Sequence, residues 1–251
     1  MLIDHPLGQY RFLKGIAPYS CGVVAGADHE IMHVTLARAL PWRVGFQRLD
    51  QFLTDAHLAR TAICGIQLRC PAPYTMHEFS QFNDQYLAVL EEWKLLVDDV
   101  NPVARTNVAP QEDPPSEPEL FAFSYVKESP SITVPTFLVA GAGELLEGTL
   151  KERNIIRKGE CTGDAINEKA DFVMDVMTRR LDQLRCRWEQ VSRVNIYTIH
   201  PVDDVLETIV LPRIAQAKRH GVHLYHARPP VLDIEFEMDM RGVRSEQLVE
   251  L

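Results

Sequence analysis

Cysteine is scarce in this chain of 251 residues, and the spacing of the five present excludes the usual cysteine chemistries. Cys21, Cys64, Cys70, Cys161 and Cys186 form no Cys-x2-Cys pair, so a zinc knuckle or dithiol redox motif is not expected. Scattered thiols in odd number fit reduced cysteines in a cytoplasmic protein better than a disulfide framework. Basic charge is also short: 26 Lys and Arg against 35 Asp and Glu leave a net charge of -9. That balance argues against a nucleic-acid partner, which needs clustered cations, but leaves room for a small anion held by one or two. Long apolar runs are missing. Stretches such as Phe137 to Ala142 are far too short to span a bilayer, so no membrane partner is expected. Met1-Leu-Ile-Asp-His-Pro has no basic segment leading into an apolar one, and no secretory signal is expected. Gly141-Ala-Gly143 lacks the third glycine and the following helix of a dinucleotide loop and reads as a hairpin signal. His220, His223 and His226 lie close in sequence, yet His223 and His226 point to opposite faces of an extended segment. Metal ligation is not expected there.

What is present is one pattern, run twice. In the first half a weakly apolar run around Val23 to Val34, with Gly22 and Gly26, suits a hairpin. Leu49, Phe52 and Leu53 follow at helical spacing, and Ala62 to Leu68 reads as a strand. Phe79, Phe82, Tyr86, Leu87, Leu90 and Trp93 mark an amphipathic helix. Arg105 to Ala109 and Leu120 to Val126 close the half as strands. The second half opens with an apolar strand running into Ala140-Gly-Ala-Gly-Glu144. A long helix through Ala170, Val173, Val176, Met177, Leu181 and Leu184 comes next, then a strand from Val191 to His200. A helix from Val205 to Ala217 follows, which Pro212 should shorten or kink, and then a strand from Val222 to His226. In the last strand Leu232, Ile234, Phe236, Met238 and Met240 alternate with Asp233, Glu235, Glu237, Asp239 and Arg241. One face is apolar and the other charged, and a solvated charged face is the ordinary reading. Each half therefore reads β-β-α-β-α-β-β, an α+β sandwich with helices on one face of its sheet. The junction is expected near Lys127-Glu-Ser-Pro, giving halves of 1–127 and 128–251. The acidic, Pro-rich segment from Pro110 to Pro118 is then a loop inside the first.

Three patches of the first half, taken in order, resemble the Rid (YjgF) family of imine/enamine deaminases. They are Ile16-Ala-Pro-Tyr-Ser-Cys-Gly22, Phe82-Asn83-x-x-Tyr86 and Pro102-Val-Ala-Arg105-Thr-x-Val108. In the second half, Val139-Ala-Gly-Ala-Gly-Glu144 and Asp233-Ile-Glu-Phe-Glu237 are similar to a hairpin and the closing strand of that family. The resemblance implies two tandem Rid-like (chorismate-mutase-like) sandwiches, no cofactor or metal, and a homo-oligomer, by preference a trimer. It implies hydrolytic deamination of a carboxylate-bearing imine or enamine, of the 2-imino-acid or 2-aminomuconate type. Arg105 would grip the substrate carboxylate, as a planar guanidinium fork suits. Tyr19 is expected to face the same pocket, and Glu235 to match the family's water-positioning glutamate. Asn83 and Tyr86 are expected beside the substrate. Glu119 stands one residue out of register for the glutamate's place in the first half, a slip that turns a side chain to the opposite face. For the second half's arginine, Arg219 has the better spacing and Arg228 lies close to Glu235; both stay candidates.

Other readings of the same residues stay open. Without that flanking pattern, Arg105 by itself is better explained by an ion pair with Glu112 or Asp113. A split Arg-Glu set also suits a non-catalytic anion-binding or scaffold protein of the same fold, or a chorismatase-like hydrolase. If the two halves face each other, Arg105 should share a pocket with groups from Val139 to Glu144.

Overall fold

Three short strands, β1 (Leu2–His5), β2 (Tyr10–Leu13) and β3 (Gly22–Ala25), open the chain in the computed structural model, which describes residues 2–146 and 151–251. Then come β4 (His29–Pro41), α1 (Trp42–Asp55), β5 (Ile63–Arg69), α2 (Met76–Glu92), β6 (Ala104–Pro110) and β7 (Glu119–Glu128). After them stand β8 (Phe137–Gly143), α3 (Gly163–Gln183), β9 (Arg193–Thr198), β10 (His223–Arg228), β11 (Glu237–Gly242) and β12 (Ser245–Val249). Between β9 and β10 a helix starts at Asp203–Val205, widens into a π-helical turn at Leu206–Val210 and ends at Leu211–Arg213. The widening has a local cause. Pro212 has no N–H to give Thr208, and its ring crowds that carbonyl, so the regular bonding pattern fails there.

The expected pair of separate sandwiches is not what forms. Among the described residues all twelve strands join one mixed sheet, in the order β1-β2-β3-β8-β11-β9-β10-β6-β5-β7-β4-β12. Two four-strand runs, β6-β5-β7-β4 and β10-β9-β11-β8, repeat the same connectivity, each with one parallel pair. They are stitched edge to edge where β10 meets β6, Ala227 opposite Pro110 and Arg228 opposite Ala109. That junction satisfies backbone groups that two independent sandwiches would leave bare at their edges. The termini cross over as well: β3 pairs with β8, and β12 pairs in parallel with β4. The expected hairpin around Val23 to Val34 is absent, because β3 takes β2 and β8 as neighbours while β4 takes β7.

Burial follows this topology. α1 and α2 cover one run through Trp42, Phe46, Leu49, Phe82, Tyr86 and Leu90. α3 covers the other through Ile166, Val173, Met177 and Leu181. A third cluster, including Phe12, Val23, Ile31, Cys64, Ala104, Leu138 and Ala140, lies between the helix-free faces, which turn toward each other. A Cβ on Gly65 of β5 would meet Leu138 Cδ1 of β8, so the sheet closes on itself there. The charged face of β11 is consequently not solvated. Glu237, Asp239 and Arg241 are all buried. Asp239 accepts hydrogen bonds from Asn195 Nδ2 at 2.8 Å, Tyr197 Oη at 2.9 Å and Gln67 Nε2 at 3.3 Å, while Arg241 Nε donates to Glu246 at 2.9 Å. No helix among the described residues is long and apolar enough to cross a membrane.

Candidate active site

The meeting of the two runs leaves a cavity of about 380 Å³, walled by both. α2 sets one side. Thr75 caps it, its hydroxyl accepting from the Glu78 amide at 3.2 Å while the Glu78 carboxylate accepts from the Thr75 amide at 2.9 Å. The helix then turns Phe79, Phe82, Asn83 and Tyr86 inward at intervals of three and four. Against this face β6 delivers Arg105, only 3% exposed. Its Nη2 donates to Asn83 Oδ1 at 2.6 Å. Its guanidinium lies 4.7 Å from the ring centre of Tyr86, 5.2 Å from Tyr19, 5.6 Å from Phe79 and 5.9 Å from Phe82. The faces of four rings thus take the place of water around the cation. Burial lowers its pKa from the ordinary value, with Tyr86, Tyr19 and Glu237 opposing the shift, and a guanidinium keeps its proton regardless. Nη1 has no protein partner, and Arg105 lines the cavity.

Strand alternation places Asn107 on the same face as Arg105. It too lines the cavity, buried, with neither amide atom hydrogen-bonded by the protein. From the opposite wall comes Arg180, on the last turn of α3, whose Nη1 donates to the Ala140 carbonyl at 2.9 Å. Glu237, the first residue of β11, completes the group. Gly141 makes room for it: a Cβ there would collide with Glu237 Oε1. Burial, then the neighbouring Asp239 and Glu144, push the Glu237 carboxyl well above the usual range, against the pull of Arg180 and Arg105. It therefore keeps its proton to higher pH than an ordinary glutamate. Burial likewise raises the Tyr19 phenol, tempered by Arg180 and Arg105.

Of the residues singled out from the sequence, Arg105 and Tyr19 line the cavity, while Asn83 and Tyr86 stand behind Arg105 as its hydrogen-bond and ring partners. Arg105 also shares the cavity with Gly141, Ala142 and Gly143. Glu112 pairs with His226 at 2.9 Å and not with Arg105. The remaining candidates sit elsewhere. Glu235 is bonded to His200 Nε2 at 2.7 Å and Arg228 Nη1 at 3.2 Å, and neither it nor Arg228 lines the cavity. Arg219 is exposed and donates to Gln216 at 3.0 Å. Glu119 pairs as sheet backbone with Pro41 and Arg69. Three further residues of the cavity, Asn107, Arg180 and Glu237, are not marked as site residues by the sequence pattern. Asn107 could have been found by alternation from Arg105. Arg180 falls three residues after Met177 and four before Leu184, so a charge on an apolar stripe was its signal. Glu237 lies on the strand face that alternation alone reads as solvated, yet it is buried.

The sequence pattern of a known family, 2-aminomuconate deaminase CnbZ, matches residues 2–247 of this chain. A 2-amino-5-chloromuconate deaminase from Comamonas testosteroni is 32% identical over 246 residues, spanning 96% of this chain and 96% of that protein. Among solved structures, a chorismatase aligns with a TM-score of 0.49 at 10% identity, over 89% of this chain and 77% of the other. A cyanuric acid hydrolase aligns at 0.41 and 9% identity, over 88% and 69%. The family match and the Comamonas testosteroni relative support a deaminase family and do not extend to the Rid family specifically.

Proposed function

The chain belongs to the 2-aminomuconate deaminase CnbZ family, and from that premise we propose that it hydrolyses a 2-amino-muconate-type enamine to ammonia and the 2-oxo acid. The observation that carries this reading is the cavity itself, where two buried guanidinium groups, Arg105 and Arg180, stand around a proton-holding carboxyl, Glu237. A muconate skeleton bears a carboxylate at each end, and two planar cations suit it. Arg105 clamps one carboxylate with Nη1, Asn83 and the four rings fixing its orientation. Arg180 faces the other, and the Asn107 amide offers one donor and one acceptor to the substrate or a water molecule.

The chemistry needs one acid and one water. Glu237 gives its proton to a carbon of the conjugated chain, converting the enamine into an iminium ion at C2. Water then attacks C2, and the carboxylate left on Glu237 takes a proton from it as the C–O bond forms. The resulting carbinolamine loses ammonia, its hydroxyl proton passing to nitrogen, and the 2-oxo acid remains. Glu237 ends as it began. Tyr19 hydrogen-bonds the substrate or the attacking water at the cavity wall.

Ammonia release from freshly generated 2-aminomuconate and from 2-iminopropionate, by wild type and Arg105→Ala side by side, tests the proposal. Turnover of 2-aminomuconate well above the spontaneous rate is expected, with little effect on the monocarboxylate, and Arg105→Ala should lose at least about a hundredfold. Wild type that merely matches the spontaneous rate on 2-aminomuconate would overturn the deaminase reading. Full activity in Arg105→Ala would remove the clamp.

A further inference from the structure

Outside the cavity, three side chains with metal-binding chemistry converge from separate segments. Cys161 stands on the approach to α3, His200 in the turn after β9, and Glu235 just ahead of β11. One ligand atom from each, the thiol sulfur, an imidazole nitrogen and a carboxylate oxygen, lie within 4.8 Å of one another. We propose that Cys161, His200 and Glu235 form a binding site for a single divalent ion of the zinc class, separate from the deaminase cavity.

The donor set favours this class of ion. A thiolate with an imidazole and one carboxylate matches zinc or cobalt, whereas calcium and magnesium call for oxygen donors throughout. Two of the three donors are already held. Thr198 Oγ1 donates to the Glu235 carbonyl at 2.7 Å and accepts from the His200 amide at 3.2 Å, tying the two ligand-bearing backbones together. The Glu235 amide is fixed in turn by Glu144 Oε1 at 2.6 Å. Bonds of about 2.0–2.3 Å around a tetrahedral ion keep its donors roughly 3–4 Å apart. Closing a 4.8 Å spread therefore asks for about an ångström, and Cys161, exposed and ahead of the helix, supplies it. His200 Nε2 and Glu235 Oε2, now 2.7 Å apart in a hydrogen bond, open slightly to admit the ion.

Charge balances in the bound state. The sulfur–metal bond forms as the S–H bond breaks and the proton passes to solvent, so thiolate and carboxylate together neutralise the ion. Arg228, which donates to Glu235 Oε2 at 3.2 Å, has a side chain 36% exposed, so that bond can give way to water as the ion enters. The ion pins the segment leading into α3 to the ends of β9 and β11, leaving its fourth position to water.

Cobalt(II) is the probe. Titrating the purified, chelator-treated chain should give a saturable thiolate-to-cobalt charge-transfer band at one equivalent. Cys161→Ser should abolish the band, and His200→Ala should weaken binding by more than about tenfold, the loss seen even for outer partners of a metal site. Zinc should raise the melting temperature of wild type and leave Cys161→Ser unmoved; a melt without metal confirms that the serine variant folds. No saturable band in wild type, or a band unchanged in Cys161→Ser, would overturn the site.

Discussion

Gly141→Ala adds one methyl group and strikes at the centre of the cavity. The new carbon would collide with Glu237 Oε1 and come within 3.1 Å of Thr106 Cγ2 and 3.2 Å of Thr106 Oγ1. The backbone has little room to retreat, since Gly141 N donates to Thr106 Oγ1 at 3.1 Å within β8. The Glu237 carboxyl must therefore swing away. Overpacking of this kind costs about 1–3 kcal/mol, which for a chain of this size lowers Tm by roughly 2–12 °C. Moving the proton donor by an ångström should cost about a hundredfold in kcat, while KM changes little because both guanidinium groups stay in place. Ammonia release and thermal melting read the two effects separately. The double variant Gly141→Ala with Glu237→Ala isolates the cause: most of the destabilisation from the methyl group should vanish once the colliding carboxyl is gone. If the penalty is the same with and without Glu237, or if Gly141→Ala keeps full activity, the placement of Glu237 as the cavity's acid is refuted.

Glu237→Gln tests the protonation state. Because this carboxyl titrates higher in the folded protein than in the unfolded chain, its contribution to stability is complete below about pH 4.3 and is lost as pH rises through the folded value. The glutamine variant should show a flatter fall of urea midpoint as pH rises above about 4.3, together with loss of turnover. Lys169→Ala leaves the Glu144 carboxylate buried without its 3.0 Å cationic partner, and urea unfolding should report a loss of about 3–5 kcal/mol. Lys169→Met combined with Glu144→Gln should lose less. Arg105→Lys keeps the charge but forfeits the fork that reaches Asn83, so KM for 2-aminomuconate should rise by about ten- to a hundredfold, read from initial rates.

Local pattern made much of the chain legible. The inward spacing of Phe79, Phe82 and Tyr86 marks α2, the apolar runs mark β6, β7 and β8, and the stripe from Ala170 to Leu184 marks α3. Pro212 announced the disturbed helix around it. The short flank of Arg105, with Tyr19 upstream and Asn83 and Tyr86 on the helix before it, brought four members of one constellation together before any tertiary information. These features depend on residues a few positions apart, where periodicity and backbone stereochemistry act directly.

Partners distant in sequence were another matter. The alternation read from Leu232 to Met240 holds only from Glu237, where β11 begins, since Leu232 to Phe236 precede the strand and Leu232 is exposed; and it carries no information about what either face meets. Only the closure of the sheet, with β10 joined to β6 and β8 laid against β5, turned Glu237, Asp239 and Arg241 inward and made Glu237, not Glu235, the carboxyl of the cavity. Lys169 and Arg180 show the same division. Each interrupts an apolar stripe of α3, visible as an oddity in the sequence, and each finds its reason in a remote partner: Glu144 for one, the cavity wall at Ala140 for the other. By itself, then, the sequence marked the main helices and most central strands but not β1, β2 or β12, and it singled out Arg105, which lines the pocket. Tertiary structure decided that two similar halves make one sheet, and which acid and second cation that pocket received. Buried charges are tolerated only where distant groups converge to compensate them, and that convergence belongs to the fold as a whole.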